Sequence, residues 1–261
     1  MSAIADYLED LQQQGRYHFT TQEMVSALGR TEAAVLQALH RLAAKGRVAS
    51  PQKGFHVVVP PEYRALGCLP AEQFVPQLME HVDEPYHVAL LSAAQLHGAA
   101  HHRPQRFQVM VKAPRRPIVC GEVLVEFHVR SNLEDAATVL MNTPRGHLRV
   151  AAPETTALEL VGYQRFVGGL DNVATVLAEL AEALSAPGLV EEAKHVPVAW
   201  TQRLGFLLEL VEQGEVAGHL HRFVKDHARR VVPLDPALSR TGAPRSGPWK
   251  IAINAEVEPD L

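Results

Sequence analysis

Two short helices separated by a glycine are the feature that most constrains how this chain folds. Thr20 and Glu23 form the T-x-x-E pattern of a helix start, in which a hydroxyl and a carboxylate satisfy backbone amides that lack a partner inside the helix. A helix over 21–28 is expected to end at Gly29, because glycine adopts the left-handed conformation of a helix end without strain. Thr31 can cap the next helix. Two short helices joined by a glycine turn predict a helix-turn-helix.

The helix over 31–45 is predicted to have one apolar stripe and one polar face. Val35, Leu39 and Leu42 repeat at helical spacing and are expected to face inward. An amphipathic first helix over 2–14 supplies a further apolar face for the same small core. The outward face of the helix over 31–45 is then expected to carry small and polar residues followed by cations, namely Thr31, Ala34, Gln37, Ala38, Arg41 and Lys45.

After this helix the spacing of the hydrophobic residues changes from a helical pattern to one typical of strands. Residues 47–50 and 55–59 read as two strands with a turn over 51–54 between them, and prolines 60–61 end the second strand. Three helices followed by a hairpin is the order of a winged helix, in which the third helix enters the major groove and the hairpin reaches the flanking backbone. We therefore predict an N-terminal winged helix-turn-helix DNA-binding domain over residues 1–64.

The basic residues of this module are concentrated although the whole chain has a net charge of −4. Between Arg30 and Arg64 there are six basic residues against two acidic ones, an excess suited to DNA phosphates. Gln37 and Arg41 can offer bidentate hydrogen bonds to base edges. The predicted DNA-binding residues are Arg30, Thr31, Gln37, Arg41, Lys45, Arg47 and Lys53.

Protein binding is the alternative for this module, since winged helices also serve as protein–protein modules. The helix dipole alone also favours cations at a helix C-terminus. Lys53 lies at the hairpin tip, where no dipole argument applies, and this favours DNA.

The remainder, residues 65–261, is predicted to be a mixed α/β domain, so that the whole chain belongs to the α+β class. The alternation of apolar and polar residues predicts strands over 107–111 and 123–129. Further elements are expected as a largely buried helix over 86–97, a strand over 147–151, a helix starting at Pro153, helices over 170–184, 197–213 and 215–228, and a last strand over 249–255.

A second group of cations lies between His97 and Gly121, a stretch without any acidic residue. Its members are Arg103, Arg106, Lys112, Arg115 and Arg116. They are candidates for a second nucleic-acid contact or for a partner surface, with a solvated strand edge as the alternative. Arg115 and Arg116 lie beside prolines, which predicts an exposed turn.

Catalytic chemistry has little support in the sequence. No phosphate-binding G-x-x-x-x-G-K, no G-x-G-x-x-G and no G-x-S-x-G is present. Glu122 and Glu126 lie on one predicted strand, but the lysine that a metal-dependent nuclease needs is missing. The histidine groups, His97, His101 and His102 and separately His219 and His221, lack a carboxylate or thiol at useful spacing. We therefore predict a non-enzyme without a metal or a cofactor.

Cellular location is indicated by the cysteines and by the N-terminal segment. Cys68 and Cys120 are far apart and form no C-x-x-C, so neither a zinc knuckle nor a disulfide framework is predicted. No apolar stretch has the length of about eighteen residues that a membrane helix needs, and MSAIADYLED has acids where a signal peptide is basic. A cytoplasmic protein with no membrane contact is expected.

The order of several segments resembles the AbiE-system antitoxin family of type IV toxin–antitoxin loci. After the predicted winged helix these segments are YHVALLSAAQLHG, FQVMV, LRVAAPETTALELVG, GGLDNV, VVPLDP and WKIAINAEVE. The resemblance implies a bacterial cytoplasmic protein whose winged helix represses its own operon and whose C-terminal domain opposes a nucleotidyltransferase toxin. The G-S and D-x-D signature of the toxin is absent, so the chain resembles the antitoxin. It departs from the family pattern at Thr155 and Glu159, where a basic residue and an aspartate are expected.

The function predicted from the sequence is that of an autoregulating transcriptional repressor and antitoxin, with double-stranded operator DNA and a cognate nucleotidyltransferase toxin as partners. The alternative is a winged-helix regulator whose C-terminal domain senses a small ligand. A single winged helix contacts a short site, which predicts either dimeric binding on DNA or added contacts from the second domain.

Overall fold

The computed structural model describes residues 3–99 and 105–260 and contains both helices and strands throughout. The helices are α1 (Ala3–Gln13), α2 (Thr21–Leu28), α3 (Glu32–Ala44), α4 (Val75–His81), α5 (Leu90–Leu96), α6 (Pro153–Gly162), α7 (Gly169–Leu180), α8 (Ala186–Glu192), α9 (Val198–Leu210) and α10 (Gly214–His227). The strands are β1 (His18–Thr20), β2 (Val48–Gln52), β3 (Phe55–Val58), β4 (Tyr86–Val88), β5 (Phe107–Val111), β6 (Ile118–Cys120), β7 (Val123–Val129), β8 (Thr138–Thr143), β9 (Gly146–Ala151), β10 (Val232–Pro233), β11 (Arg245–Ser246) and β12 (Ile251–Ala252). The mixed α and β composition is as predicted.

The described chain divides into two compact units, each built from segments that are not contiguous in the sequence. Unit 1 contains residues 3–86, 105–131 and 140–149. Unit 2 contains residues 87–99, 132–139 and 150–260. The assignment of residues 1–64 to a separate DNA-binding domain stays a prediction.

The first part of unit 1 has the element order α1-β1-α2-α3-β2-β3 and one three-stranded sheet. Its strand order is β1-β3-β2, and both pairings are antiparallel. The sequence analysis did not predict β1, because three residues are too few for an alternating pattern to be visible. Leu8, Phe19, Met24 and Val35 are fully buried in the core that the helices share with one face of this sheet. The helix faces predicted to be apolar therefore meet a common core.

Local hydrogen bonds define the ends of α2 and the start of α3 as the sequence predicts. The amide of Glu23 donates to the Thr20 hydroxyl at 3.1 Å, and the amide of Thr20 donates to the Glu23 carboxylate at 2.6 Å. Gly29 ends α2 with a φ of 59°, and the amide of Ala34 donates to the Thr31 hydroxyl at 3.4 Å. The two capped helices are thus determined by residues within a few positions of one another.

Strand β3 is buried on both of its faces. Phe55 and Val57 contribute to a second core of unit 1, whereas Val58 belongs to the core under the helices. The second core is closed by a sheet in which β5 runs parallel to β7 and β6 runs antiparallel to β7. His56 lies between hydroxyls of Thr21 and Ser50, each 2.8 Å from a ring nitrogen, and burial lowers its pKa. The predicted hairpin is therefore largely a core element.

Several predicted elements differ from the structure. The single helix predicted over 86–97 is wrong, since β4 is followed by α5 and Leu90 has a φ of 53° at the junction. β2 continues through Pro51 to Gln52, which leaves a two-residue turn instead of the predicted turn over 51–54. The last strand covers only Ile251–Ala252, and α8 was not predicted because it has only seven residues.

Unit 2 is built around α6, which packs against α5, α7 and α9. Burial of α6 is nearly complete, so both its apolar and its polar residues lie in the core. The small sheet has the order β10-β12-β11, with β10 parallel and β11 antiparallel to β12. The longest helix, α10, has 14 residues, and no helix in the described residues combines the length and the apolar character needed to cross a membrane.

Candidate nucleic-acid interface

The outer face of α3 is an exposed strip of mixed chemistry. Ala33, Leu36, Gln37, His40 and Arg41 are all exposed, at helical spacing along one side of the helix. They lie there because the apolar residues of the opposite side are held in the core. Gln37 and Arg41, which the sequence analysis predicts to read bases, are therefore available on the same face.

Ala38 is the one predicted member of this face that the structure excludes from it. Its exposed fraction is 5%, and it packs in the same core as Val35 and Leu39. Residues three positions apart on a helix lie on the same side, so Ala38 follows Val35 into the core. The apolar side of α3 is wider than a stripe of leucine and valine alone predicts.

Leu36 is a candidate functional residue that the sequence analysis missed. Its exposed fraction is 46%, between Ala33 and His40 on the outer face of α3. An apolar side chain on this face can contact the methyl group of thymine in the major groove. The spacing of Leu36 from Val35 and Leu39 was the available signal, since it places Leu36 outside the inward stripe.

Five exposed cations surround α3 in the sequence. Arg30 lies in the turn before α3, Arg41 in its last turn, Lys45 at its C-cap, Arg47 just before β2, and Lys53 in the hairpin turn. Within residues 3–99 and 105–260, none of these five side chains forms an ion pair. Thr31 is also exposed, although its hydroxyl oxygen caps α3. The predicted positive excess is thus available to solvent.

The hairpin turn that carries Lys53 is short and anchored. Lys53 and Gly54 form the two-residue loop, and Gly54 has a φ of 83°, which glycine tolerates. The amide of Thr21 donates to the carbonyl of Gly54 at 3.0 Å. This bond holds the hairpin tip against the start of α2, so Lys53 has a defined position beside the helix-turn-helix.

The second group of cations is not a single free patch. Arg103 lies outside the described residues. Arg106 is exposed and pairs with Glu126 at 2.6 Å, while Lys112 and Arg116 are exposed. The role of this group in binding DNA or a partner stays a prediction.

Arg115 is a structural residue of unit 1, and the expectation that it is exposed is wrong. Its guanidinium lies 2.6 Å from the Glu84 carboxylate and also donates to the side-chain carbonyl of Gln52. It covers the ring of Phe127 at 5.2 Å from the centroid. Only 17% of the Arg115 side chain is exposed, because it packs against Gln52, Glu84 and Phe127 of the same unit.

We expect Arg115→Ala to lower the free energy of unfolding by about 1–3 kcal/mol, since it removes hydrogen bonds between charged groups that are largely shielded from water. The neighbouring Arg116→Ala is the matched control and should change it by less than about 0.5 kcal/mol. Urea unfolding followed by circular dichroism measures both values. Equal values for the two variants would mean that the Arg115 ion pair contributes nothing to the fold.

Metal-binding chemistry has no support in the described part of the chain, where no group of three or more His, Cys, Asp or Glu side chains is placed to hold an ion. His97 instead lies 2.7 Å from the carbonyl of Ala151. His221 contacts the edge of the Trp249 ring, and His219 is exposed. His101 and His102 lie outside the described residues.

Unit 2 contains a buried polar cluster at the two positions where the sequence departs from the family pattern. Glu159 lies 2.9 Å from His87, and these side chains are 0% and 1% exposed. The Thr155 hydroxyl donates to the carbonyl of Ala137 at 2.8 Å, and the Ala137 amide donates to Glu192 at 3.1 Å. Each departure is therefore matched by a hydrogen-bond partner, His87 for Glu159 and the Ala137 carbonyl for Thr155, and the second bond ties α6 to the chain before β8.

Comparison with known proteins finds a family model that matches part of the chain and includes segments of both units. Residues 87–210 match the family model of the AbiEi antitoxin C-terminal domain. No curated protein matches the sequence.

Two solved structures resemble the chain to different degrees. The RV2827C protein from Mycobacterium tuberculosis is 18% identical, with a TM-score of 0.68 over 94% of this chain and 89% of that one. This likeness shows a common fold. An antigenic nucleotidyltransferase-like protein from Paracoccidioides brasiliensis is 11% identical, with a TM-score of 0.38 over 57% of this chain and 90% of that one.

Proposed function

We propose that this chain, which resembles the AbiE antitoxins and carries their C-terminal domain over residues 87–210, is a DNA-binding repressor of its own operon and the antitoxin of a nucleotidyltransferase toxin. In this proposal residues 1–64 form a winged helix-turn-helix, α3 enters the major groove, and the β2–β3 hairpin is the wing. The protein would act in the cytoplasm as a non-enzyme.

The outer face of α3 is the observation that supports the DNA-binding part of the proposed function. Gln37 and Arg41 are exposed on it one turn apart, and both can form bidentate hydrogen bonds with base edges. Lys45 and Arg47 follow at the end of the helix, where they can reach phosphates. A protein-binding helix would more often present an apolar stripe, whereas Leu36 is the single large apolar side chain exposed on α3.

A mobility-shift titration with the DNA upstream of the operon tests this part. We expect one specific complex that competitor DNA of unrelated sequence does not displace, and its stoichiometry will show whether one or two protomers bind. Equal affinity for the upstream DNA and for unrelated DNA would contradict a role as a specific repressor.

Support for the antitoxin part comes from the family match over residues 87–210. We expect co-expression of the chain to restore growth of cells that express the nucleotidyltransferase encoded beside it. A variant with Gln37→Ala and Arg41→Ala should still restore growth, because the family match lies outside α3. Growth arrest that persists with the wild-type chain would contradict the antitoxin role while leaving operator binding untouched.

We expect Lys53→Ala to weaken binding to all DNA sequences alike. Lys53 is exposed on the anchored hairpin tip and can contact one phosphate, so its loss should reduce the slope of log affinity against log salt by about one. Titrations at several salt concentrations with operator and unrelated DNA measure this slope. An unchanged slope would exclude the phosphate contact, and a loss confined to operator DNA would assign Lys53 to base reading.

A further inference from the structure

The C-terminal part of unit 2 carries a concentration of basic residues that the proposed function does not use. Residues 228–252 contain five basic residues against one acidic residue, Asp235. Arg230, Arg240 and Arg245 line one open cavity of about 470 Å³, called here the arginine cavity, and no carboxylate is among its lining residues in the described chain. This excess is comparable to the one around α3, although it lies in a different unit.

The three arginines meet because short strands bring distant parts of the chain together. Arg230 follows the end of α10, Arg240 lies in the loop after β10, and Arg245 begins β11. Strand β12 pairs with β10 on one side and with β11 on the other. These pairings hold the two ends of the β10–β11 loop together, so that the loop forms one wall of the cavity. The Nη1 atom of Arg240 donates to the carbonyl of Val231 at 2.9 Å and so holds this side chain across the loop.

The backbone beneath the arginine cavity is fixed by a buried amide from α9. The Nε2 atom of Gln202 lies within hydrogen-bonding distance of three carbonyls, those of Arg230 at 3.1 Å and of Trp249 and Lys250 at 3.0 Å. The Trp249 ring is fully buried against Gly205, where a Cβ atom would lie 2.0 Å from the ring. A wall held in this way keeps its shape without a ligand, as a preformed site requires.

The positive charge of the arginine cavity is not compensated inside the described protein. None of its three guanidinium groups forms an ion pair within residues 3–99 and 105–260. Asp235, the acidic residue within 228–252, instead accepts hydrogen bonds from Gln164 at 3.1 Å and from the Ala237 amide at 2.8 Å. The acidic C-terminal segment is bonded along α7, where Glu258 and Asp260 donate backbone hydrogen bonds. Three like charges around one concave surface raise the local concentration of anions.

We propose that the arginine cavity binds a ligand with adjacent phosphate groups, carried either by a nucleoside triphosphate or by the backbone of a nucleic acid. The planar guanidinium fork matches phosphate oxygens in two-point hydrogen bonds, and three guanidinium groups around one cavity suit the several negative charges of adjacent phosphates. The cavity volume lies inside the range of about 300–1,000 Å³ that is usual for small-molecule sites. This site is independent of DNA reading by α3, because its residues belong to unit 2.

Calorimetric titration of the full chain with inorganic tripolyphosphate tests the proposal. We expect saturable binding that Arg245→Ala weakens about tenfold, the loss expected for one charge-assisted contact. Arg245 has no hydrogen bond from its guanidinium within the described chain, so this variant should keep its thermal midpoint. The double variant Arg240→Ala with Arg245→Ala should bind more weakly still. ATP and a short single-stranded RNA, titrated in the same way, separate the two sources of phosphate. The ligand that binds more tightly identifies the source of the phosphate groups.

Matched controls make the outcome decisive. The double variant Arg222→Ala with Lys225→Ala removes the same charge from exposed positions on α10 that do not line the cavity, and it should bind tripolyphosphate as the wild type does. If both double variants weakened tripolyphosphate binding equally, the attraction would be diffuse, and the proposal of a defined site would be overturned. Citrate binding as tight as tripolyphosphate binding would overturn the preference for phosphate, and a wild-type chain that does not bind tripolyphosphate would refute the proposal altogether.

Discussion

Replacement of Arg41 by alanine is expected to weaken specific operator binding by about 1–3 kcal/mol, the range for one bidentate contact with a base. Arg41 is exposed in the last turn of α3 and forms no ion pair within the described residues, so its guanidinium group is available to bind DNA. Gln37→Ala should have an effect in the same range. Binding to unrelated DNA should change much less, because the lost contact reads bases.

Mobility-shift titrations at one fixed salt concentration measure these losses. Arg222→Ala serves as the control for charge, since Arg222 is an exposed arginine on α10 in unit 2. It should leave the affinity for the operator within about twofold of the wild type. Unchanged operator affinity for both Arg41→Ala and Gln37→Ala would mean that α3 does not read DNA, and the winged-helix proposal would then lose its main support.

The second large effect is expected from the buried pair of His87 and Glu159. We expect His87→Ala to lower the free energy of unfolding by about 3–5 kcal/mol, because it opens a cavity in the core and removes the histidine partner of a fully buried glutamate side chain. His219→Ala, at an exposed position in unit 2, is the control and should change it by less than about 0.5 kcal/mol. Urea unfolding monitored by circular dichroism gives both values.

A double variant separates the pair from simple loss of packing. Replacing both His87 and Glu159 by leucine removes the buried polar atoms together, and it should recover a large part of the stability that His87→Ala loses. If the double variant loses more unfolding free energy than His87→Leu and Glu159→Leu lose together, the polar cluster stabilises unit 2 through contacts beyond this pair. A loss below about 1 kcal/mol for His87→Ala would contradict a buried interaction of this kind.

The helix-turn-helix could be predicted because its signals are local. The capping bonds between Thr20 and Glu23 join residues three positions apart, and Gly29 terminates α2 through its own backbone conformation. The exposure of Gln37 and Arg41 follows from helical spacing alone. Ala38 was misplaced because alanine contributes little to an apolar pattern, although its small side chain fits the core.

Pairing between strands that are far apart in the sequence could not be predicted from local signals of this kind. The burial of β3 on both faces depends on strands β5, β6 and β7, which follow it by more than 45 residues. The ion pair of Arg115 with Glu84 likewise joins residues 31 positions apart. A run of five cations without acids suggested an exposed patch, because a linear sequence does not show which distant carboxylate faces an arginine.

The sequence by itself determined the capped helices, the apolar faces that build each core and the local excess of cations around α3. Only the tertiary structure decided which polar residues are buried together and which charges converge. His87 on β4 meets Glu159 on α6 across 72 positions, and both side chains are buried. Arg230, Arg240 and Arg245 share a cavity because β12 pairs with both β10 and β11. The physical reason is that caps and helical faces depend on neighbours in the chain, whereas burial and electrostatic environment depend on neighbours in space.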